Sequence, residues 1–178
     1  MATLAIDKFK SKLTGGGARS NLFEVELNAP AGVGGTIGDD AILVKGAQLP
    51  AAIVSPIMVP FRGRQLQVPG DKTFEPWTIT VVNDTNFNLR DFFERWSNTL
   101  ADHVTGVGVD GNFDNFAVDL NVHQLNRQGE RVKSYKIHDA WCSNVSAIDV
   151  SYDSENQIEE FTVELQMTYW TSSTTTQS

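Results

Sequence analysis

Residues 160–169 read EFTVELQMTY, with Phe161, Val163, Leu165, Met167 and Tyr169 at every second position and Glu160, Thr162, Glu164 and Gln166 between them. A strand turns successive side chains to opposite faces, so this spacing predicts a strand with one apolar and one wetted face. The same step of two recurs upstream. Phe23, Val25 and Leu27 oppose Glu24 and Glu26; Trp77, Ile79 and Val81 oppose Thr78 and Thr80. Phe116, Val118, Leu120 and Val122 oppose Asp119, Asn121 and His123. Half-wet strands of this kind belong to antiparallel sheets. Asp153-Ser154-Glu155-Asn156 has the residue types of a tight connection and predicts a hairpin from about Val145 to Tyr169.

One segment breaks the pattern. Leu89, Phe92, Phe93, Trp96 and Leu100 recur at steps of three and four, with Asn86 or Asn88 available as a cap and Arg90, Asp91, Glu94 and Arg95 on the other side. The expected fold is mainly β, an antiparallel sandwich or barrel with one flanking α-helix over about residues 87–100. A chain of 178 residues is one domain in size. Residues 1–20, with Gly15-Gly16-Gly17, read as a flexible arm, residues 21–170 as the domain, and residues 171–178, all Ser, Thr and Gln, as a flexible tail. No internal repeat is visible.

The charged residues, 14 basic against 22 acidic, give a formal charge of −8, which repels phosphate and argues against sequence-specific nucleic-acid binding. No apolar run is long enough to cross a bilayer, and Met1 to Phe9 carries Asp7 and Lys8 where a signal peptide would be apolar, so synthesis in the cytoplasm is expected.

Catalytic and metal motifs are mimicked but not completed. Cys142 is the single cysteine and reads as a small buried side chain. His103, His123 and His138 lie far apart, the last two at strand positions expected to face outward, and none has a metal-ligand spacing. Asp110, Asn112 and Asp114 imitate the start of an EF-hand loop, yet Asn115 stands where glycine belongs and Asn121 where glutamate belongs. The triple glycine lacks the lysine and preceding strand of a phosphate loop. Asp39-Asp40 and Glu159-Glu160 are sequence neighbours, which a strand would point to opposite faces. No serine sits in a nucleophile elbow. The expectation is a non-enzymatic protein with no catalytic residues, no metal and no cofactor.

Residues 41–61 carry many apolar side chains, one charge at Lys45, and prolines at 50, 56 and 60. One reading is an edge strand and a long loop packed on the domain's own core. The other is that Leu49, Ile53, Ile57, Met58, Val59 and Phe61 are covered by another subunit, since an exposed apolar ribbon of that length invites aggregation.

The order of words along the chain then resembles a known family. Asn21-Leu22-Phe23, then Leu49-Pro50-Ala51 through Gly63-Arg64, Gly70-Asp71, Thr73-Phe74, Trp77 and Val82-Asn83-Asp84, are similar to the tail-tube proteins of T-even-like contractile bacteriophages. The helix with Phe93 and Trp96 and the closing run Trp141, Asn144-Val145, Asp153-Ser154, Ile158, Phe161 and Tyr169-Trp170 extend the resemblance over about residues 18–170. The Gly-rich stretch 31–39, residues 98–115 and the Ser/Thr tail depart from it.

The resemblance implies a structural subunit of a virion tail tube, assembled in the host cytoplasm as stacked hexameric rings that conduct DNA without binding it specifically. It also implies a tail sheath, a tape-measure protein, and baseplate and tail-terminator proteins as partners, with no membrane. If each subunit supplies four strands, the barrel has 24 strands, and about 4.8 Å spacing at roughly 40° tilt gives a backbone diameter of about 45–50 Å. Glu24, Glu26, Asp119, Glu160 and Glu164, on the polar faces of predicted strands, are the lumen-facing candidates. Two alternatives stand beside this reading: a type VI-like or bacteriocin injection tube, and a β-sandwich carbohydrate-binding module using Trp77, Trp141 or Trp170.

Overall fold

The computed structural model describes residues 6–34, 37–108 and 111–175, without the side chains of Thr14 and Asp39. In chain order the elements are α1 (Ile6–Lys12), β1 (Phe23–Glu26), a 3-10 turn (Gly38–Leu43), β2 (Val44–Ala47), β3 (Ala52–Phe61), β4 (Arg64–Phe74) and β5 (Trp77–Val82). Then follow α2 (Asn88–Leu100), β6 (Val118–Leu125), β7 (Arg131–Val145), β8 (Glu160–Gln166) and β9 (Tyr169–Ser172).

Every pairing among these strands is antiparallel. β7 is the spine. Its first half lies between β6 and β9, with β1 beyond β6; its second half pairs with β8, which continues to β5 and β2. The handover is made by a bulge at Asp139, whose φ of 53° is unusual for a residue with a side chain. One residue of β6, Asp119, there faces two of β7, His138 and Asp139, and the Asp139 N–H donates to the Asp119 carboxylate at 3.3 Å. One long strand thus serves two four-stranded sheets.

The apolar faces of both sheets meet in one core. Ile79, Val81, Leu120, Ile137, Val163 and Leu165 are fully buried, as the step of two requires. Burial of each such side chain stabilises the fold by about 1.5–3 kcal/mol. Helix α2 adds Leu89, Phe92, Phe93 and Trp96 to the core, with Phe93 stacked on Trp96 and edge-on to Phe161. The indole N–H groups buried with their rings are satisfied: Trp77 donates to the Gln48 carbonyl at 2.6 Å and Trp96 to the Phe116 carbonyl at 2.7 Å.

Several local expectations are corrected. Neither Asn86 nor Asn88 caps α2; Phe87 takes the cap position in a left-handed conformation, and the Asp84 side chain accepts the Asn88 N–H at 3.0 Å. β7 and β8 do pair as a hairpin would, but residues 146–159 between them form a long loop in place of a tight turn. Met167 is only partly buried, and Tyr169 leaves the apolar face of β8 because the chain crosses there to the other sheet, pairing Tyr169 with His138. His123 does point to the outer face, but it is only 5% exposed there, shielded with its Nδ1 2.7 Å from the Ser134 hydroxyl and its Nε2 3.4 Å from Glu26. His138 is mostly shielded, stacked on Tyr169 at 4.4 Å. The arm also carries a second helix, α1, with no buried residue, and β9 runs two residues into the stretch read as tail.

Candidate assembly surfaces

β3 and β4 form a two-stranded hairpin of their own, closed by Arg62 and Gly63, both at positive φ, as a mirror-image two-residue turn requires. It continues the β2–β5 pair outward, and Trp170 braces its base, donating to the Ala51 carbonyl at 3.0 Å and meeting Phe74 edge-on. Beyond that brace almost every residue is exposed on both faces. The ribbon expected from the sequence is therefore neither an edge strand on the core nor a loop.

Register sorts the candidates. Ile57 pairs with Val68 and Val59 with Leu66, placing four apolar side chains on one face, with Phe61 opposite Arg64 at the tip. Met58 pairs with Gln67 and Pro60 with Gln65 on the other face. Val59 is 43% exposed and Leu66 61% exposed, so the apolar face is open in the isolated subunit. Leu49 and Ile53 are also exposed, near the base. Leu66 and Val68 join Ile57 and Val59 on this face, and the alternation in Gln65-Leu66-Gln67-Val68 is the sequence signal for it. Pro56 and Pro60 on β3 and Pro69 on β4 remove backbone donors from the hairpin edges.

The five acidic candidates fall on two outer faces, on either side of the shared core. Glu24, Glu26 and Asp119 lie on the β1–β6–β7–β9 sheet, and each meets a cation. Arg131 binds both Glu24, at 2.9 Å, and Glu26, while Lys136 holds Asp119 at 2.7 Å. Burial would raise the Glu26 carboxyl, but hydrogen bonds from Arg131, His123 and Asn121 and the Arg131 charge hold it below its ordinary value. Asp119 is likewise held low, its partial burial outweighed by Lys136, the Asp139 N–H and His138. Glu160 and Glu164 lie on the other sheet among Thr78, Thr80 and Thr162, where, among the described residues, the cation paired with them is Lys45, bound to Glu160. One face is charge-balanced; the other is anionic and hydroxyl-rich.

The remaining residues singled out by the sequence do not converge. Cys142 is buried, and burial pushes its thiol up to about 12. Asn112 accepts the Asp114 N–H within the 3-10 turn Phe113–Asn115; Asp110 of the EF-hand mimic lies outside the described residues, as does the side chain of Asp39. Trp77 is buried, Trp141 is half-buried within β7, and Trp170 donates its indole N–H to the base of the hairpin.

Residues 18–173 match the phage tail tube protein family. The chain belongs to that family. It is 35% identical over 158 residues to the tail tube protein gp19 of Enterobacteria phage T4, covering 86% of this chain and 90% of that protein. It is 24% identical over 170 residues to the tail tube protein of Serratia phage KSP90, covering 93% and 94% of the two chains. Among solved structures, a chain of the anti-feeding prophage baseplate shares the fold with a TM-score of 0.63 at 14% identity, covering 87% of this chain and 94% of that one. A chain of the sheath–tube complex of an extracellular contractile injection system superposes with a TM-score of 0.58 at 16% identity, covering 91% and 95%. This tail tube protein thus has the mainly β, helix-flanked architecture that its sequence implies, and its role is structural, as a component of a phage tail. Among the described residues, no helix is long and apolar enough to cross a membrane.

Proposed function

We propose that six copies of this tail tube protein close into a ring, that rings stack into a hollow tube, and that the tube conducts DNA. The observation that carries this reading is the β3–β4 hairpin, which presents Ile57, Val59, Leu66 and Val68 to solvent although a lone hairpin is only marginally stable in water. A neighbouring copy that covers this face removes the liability and holds the stack together. Each four-stranded sheet has an even number of strands, so neighbouring copies can meet edge to edge with every junction antiparallel.

The bore is lined by the face that carries Glu160 and Glu164. A ring of six carries six times −8, or −48 formal charges, and a wall poor in cations leaves phosphates unbound, so DNA slides. Glu24, Glu26 and Asp119 fit this role less well, because Arg131 and Lys136 neutralise their face. The subunit catalyses nothing, assembles in the host cytoplasm, encloses a tape-measure protein, and is bounded by a sheath, a baseplate and a terminator.

Negative-stain microscopy of the purified protein is expected to show rings or tubes with a central hole. A stable monomer at high concentration, even with baseplates supplied, overturns the reading. Glu160→Lys with Glu164→Lys is expected to leave tubes intact and slow DNA release; unchanged infectivity removes the bore assignment alone.

A further inference from the structure

Two open surfaces lie at opposite ends of β5. The β3–β4 hairpin leads into its first residue, Trp77. Past its last residue, the backbone N–H and side-chain amide of Asn83 donate to the carbonyl and carboxylate of Glu159, both at 2.9 Å, and so anchor the loop of residues 146–159. A strand of six residues spans about 20 Å, and the hairpin leaves from the far end, so its tip does not reach the loop of its own chain.

The apolar face of the hairpin ends in a cation. Arg64 pairs with Phe61 and therefore shares the face of Ile57, Val59, Leu66 and Val68, with Arg62 beside it in the turn. Among the described residues, no carboxylate holds either guanidinium; Arg62 lies over the Phe61 ring, 5.4 Å from its centre. The fitting cover is a surface both apolar and anionic, and the 146–159 loop is one. Tyr152 is fully exposed, Val150 and Ile158 largely so, and the carboxylates of Asp149, Asp153 and Glu155 stand exposed around them. The loop contains no Lys, Arg or His. Arg131 and Lys136 hold Glu24, Glu26 and Asp119, whereas these three loop carboxylates have no cation on them among the described residues.

We propose that the hairpin of one copy seats its apolar face and arginine tip on the 146–159 loop of a second copy in the next ring. The occupant is a second copy of this chain because the two surfaces match in charge and apolarity and sit at opposite ends of one strand. A head-to-tail contact between two different surfaces does not close on itself, so it repeats from ring to ring. A basic tip against an acidic loop also fixes which end of one ring meets the next. This inference rests on the ring-and-tube reading and names the surface that covers the hairpin.

The test reverses the charges separately and together. Arg64→Glu in one protein, and Asp153→Lys with Glu155→Lys in another, change only exposed positions and are each expected to raise the protein concentration needed for tubes at least about tenfold, with an unchanged circular dichroism spectrum. The triple variant, with all three reversals in one chain, is expected to regain tubes. In a Phe61→Cys, Tyr152→Cys protein, mild oxidation of tubes is expected to give a ladder of covalent multimers on a non-reducing gel. Cys142 stays out of that reaction, because it is buried and its thiol is pushed up to about 12. If wild type forms tubes but the single-surface reversals assemble equally well, the triple variant regains nothing, or no ladder forms, the seating is wrong and the tube stands. If wild type forms neither ring nor tube, the tube reading has failed and takes the seating with it.

Discussion

β3 and β8 each carry an alternating apolar row, Ile57-Val59-Phe61 in one and Phe161-Val163-Leu165 in the other, yet one strand is exposed on both faces and the other is buried on one. Val163 in β8 is fully buried between β5 and the second half of β7, while Val59 in β3 has one partner strand and open space on its apolar face. The difference lies in neighbours, not in propensity. A strand with two sheet neighbours and a packed helix completes its apolar face within the subunit; a two-stranded projection leaves it to another molecule. The body is therefore a folding unit, and the hairpin is the surface that we propose another copy covers.

A matched pair of substitutions gives the largest expected effect. Val163→Asp places a carboxylate in the core and is expected to cost several kcal/mol, leaving mostly unfolded protein by circular dichroism. Val59→Asp is expected to stay within about 0.5 kcal/mol of wild type in urea titration of the monomer, while tubes disappear by microscopy. Unfolding by Val59→Asp would merge the two regions into one core; normal tubes would make the hairpin a bystander. Met58→Asp, on the opposite face beside Gln67, then reports which side of the hairpin is covered.

A smaller effect sharpens the account of the body. Asp84 caps α2 through the Asn88 N–H, so Asp84→Ala is expected to lower monomer stability by about 0.5–2 kcal/mol without changing tube geometry. Asn86→Ala should do neither, and equal losses at both sites would return the cap to the asparagine.

The smallest effect is the pH dependence of the body. Glu26 and Asp119 are held below their ordinary values of 4.5 and 3.8, so their ionised forms favour the folded state. That contribution is complete above those values and fades as pH falls through the lowered ones. The urea midpoint of the monomer is expected to drop between about pH 6 and about pH 3, and less steeply in Glu26→Gln, which has less charge to lose. Identical slopes would mean that the cross-strand ion pairs contribute nothing measurable, the usual fate of exposed pairs.

Much of the body was legible because periodicity is a local property. The steps of two at Trp77–Val81 and Phe161–Leu165 and the steps of three and four at Leu89–Trp96 place each of these side chains correctly. The apolar ribbon was legible as unusual composition, though not as a hairpin. Which of its residues share a face depended on the pairing of β3 with β4, a matter of register and of the bulge between Val54 and Pro56.

By itself, the sequence determined the type and sidedness of most strands of the body and of α2, and the family. The tertiary structure alone decided that β7 serves two sheets through a bulge at Asp139 and that His123 is buried against Ser134. It also decided that Arg131 neutralises Glu24 and Glu26, and that the acidic candidates divide between two faces. The reason is range. Alternation is written between neighbours in the chain, whereas Arg131 meets Glu24 across 107 positions, and no local pattern specifies which distant strand comes to lie alongside.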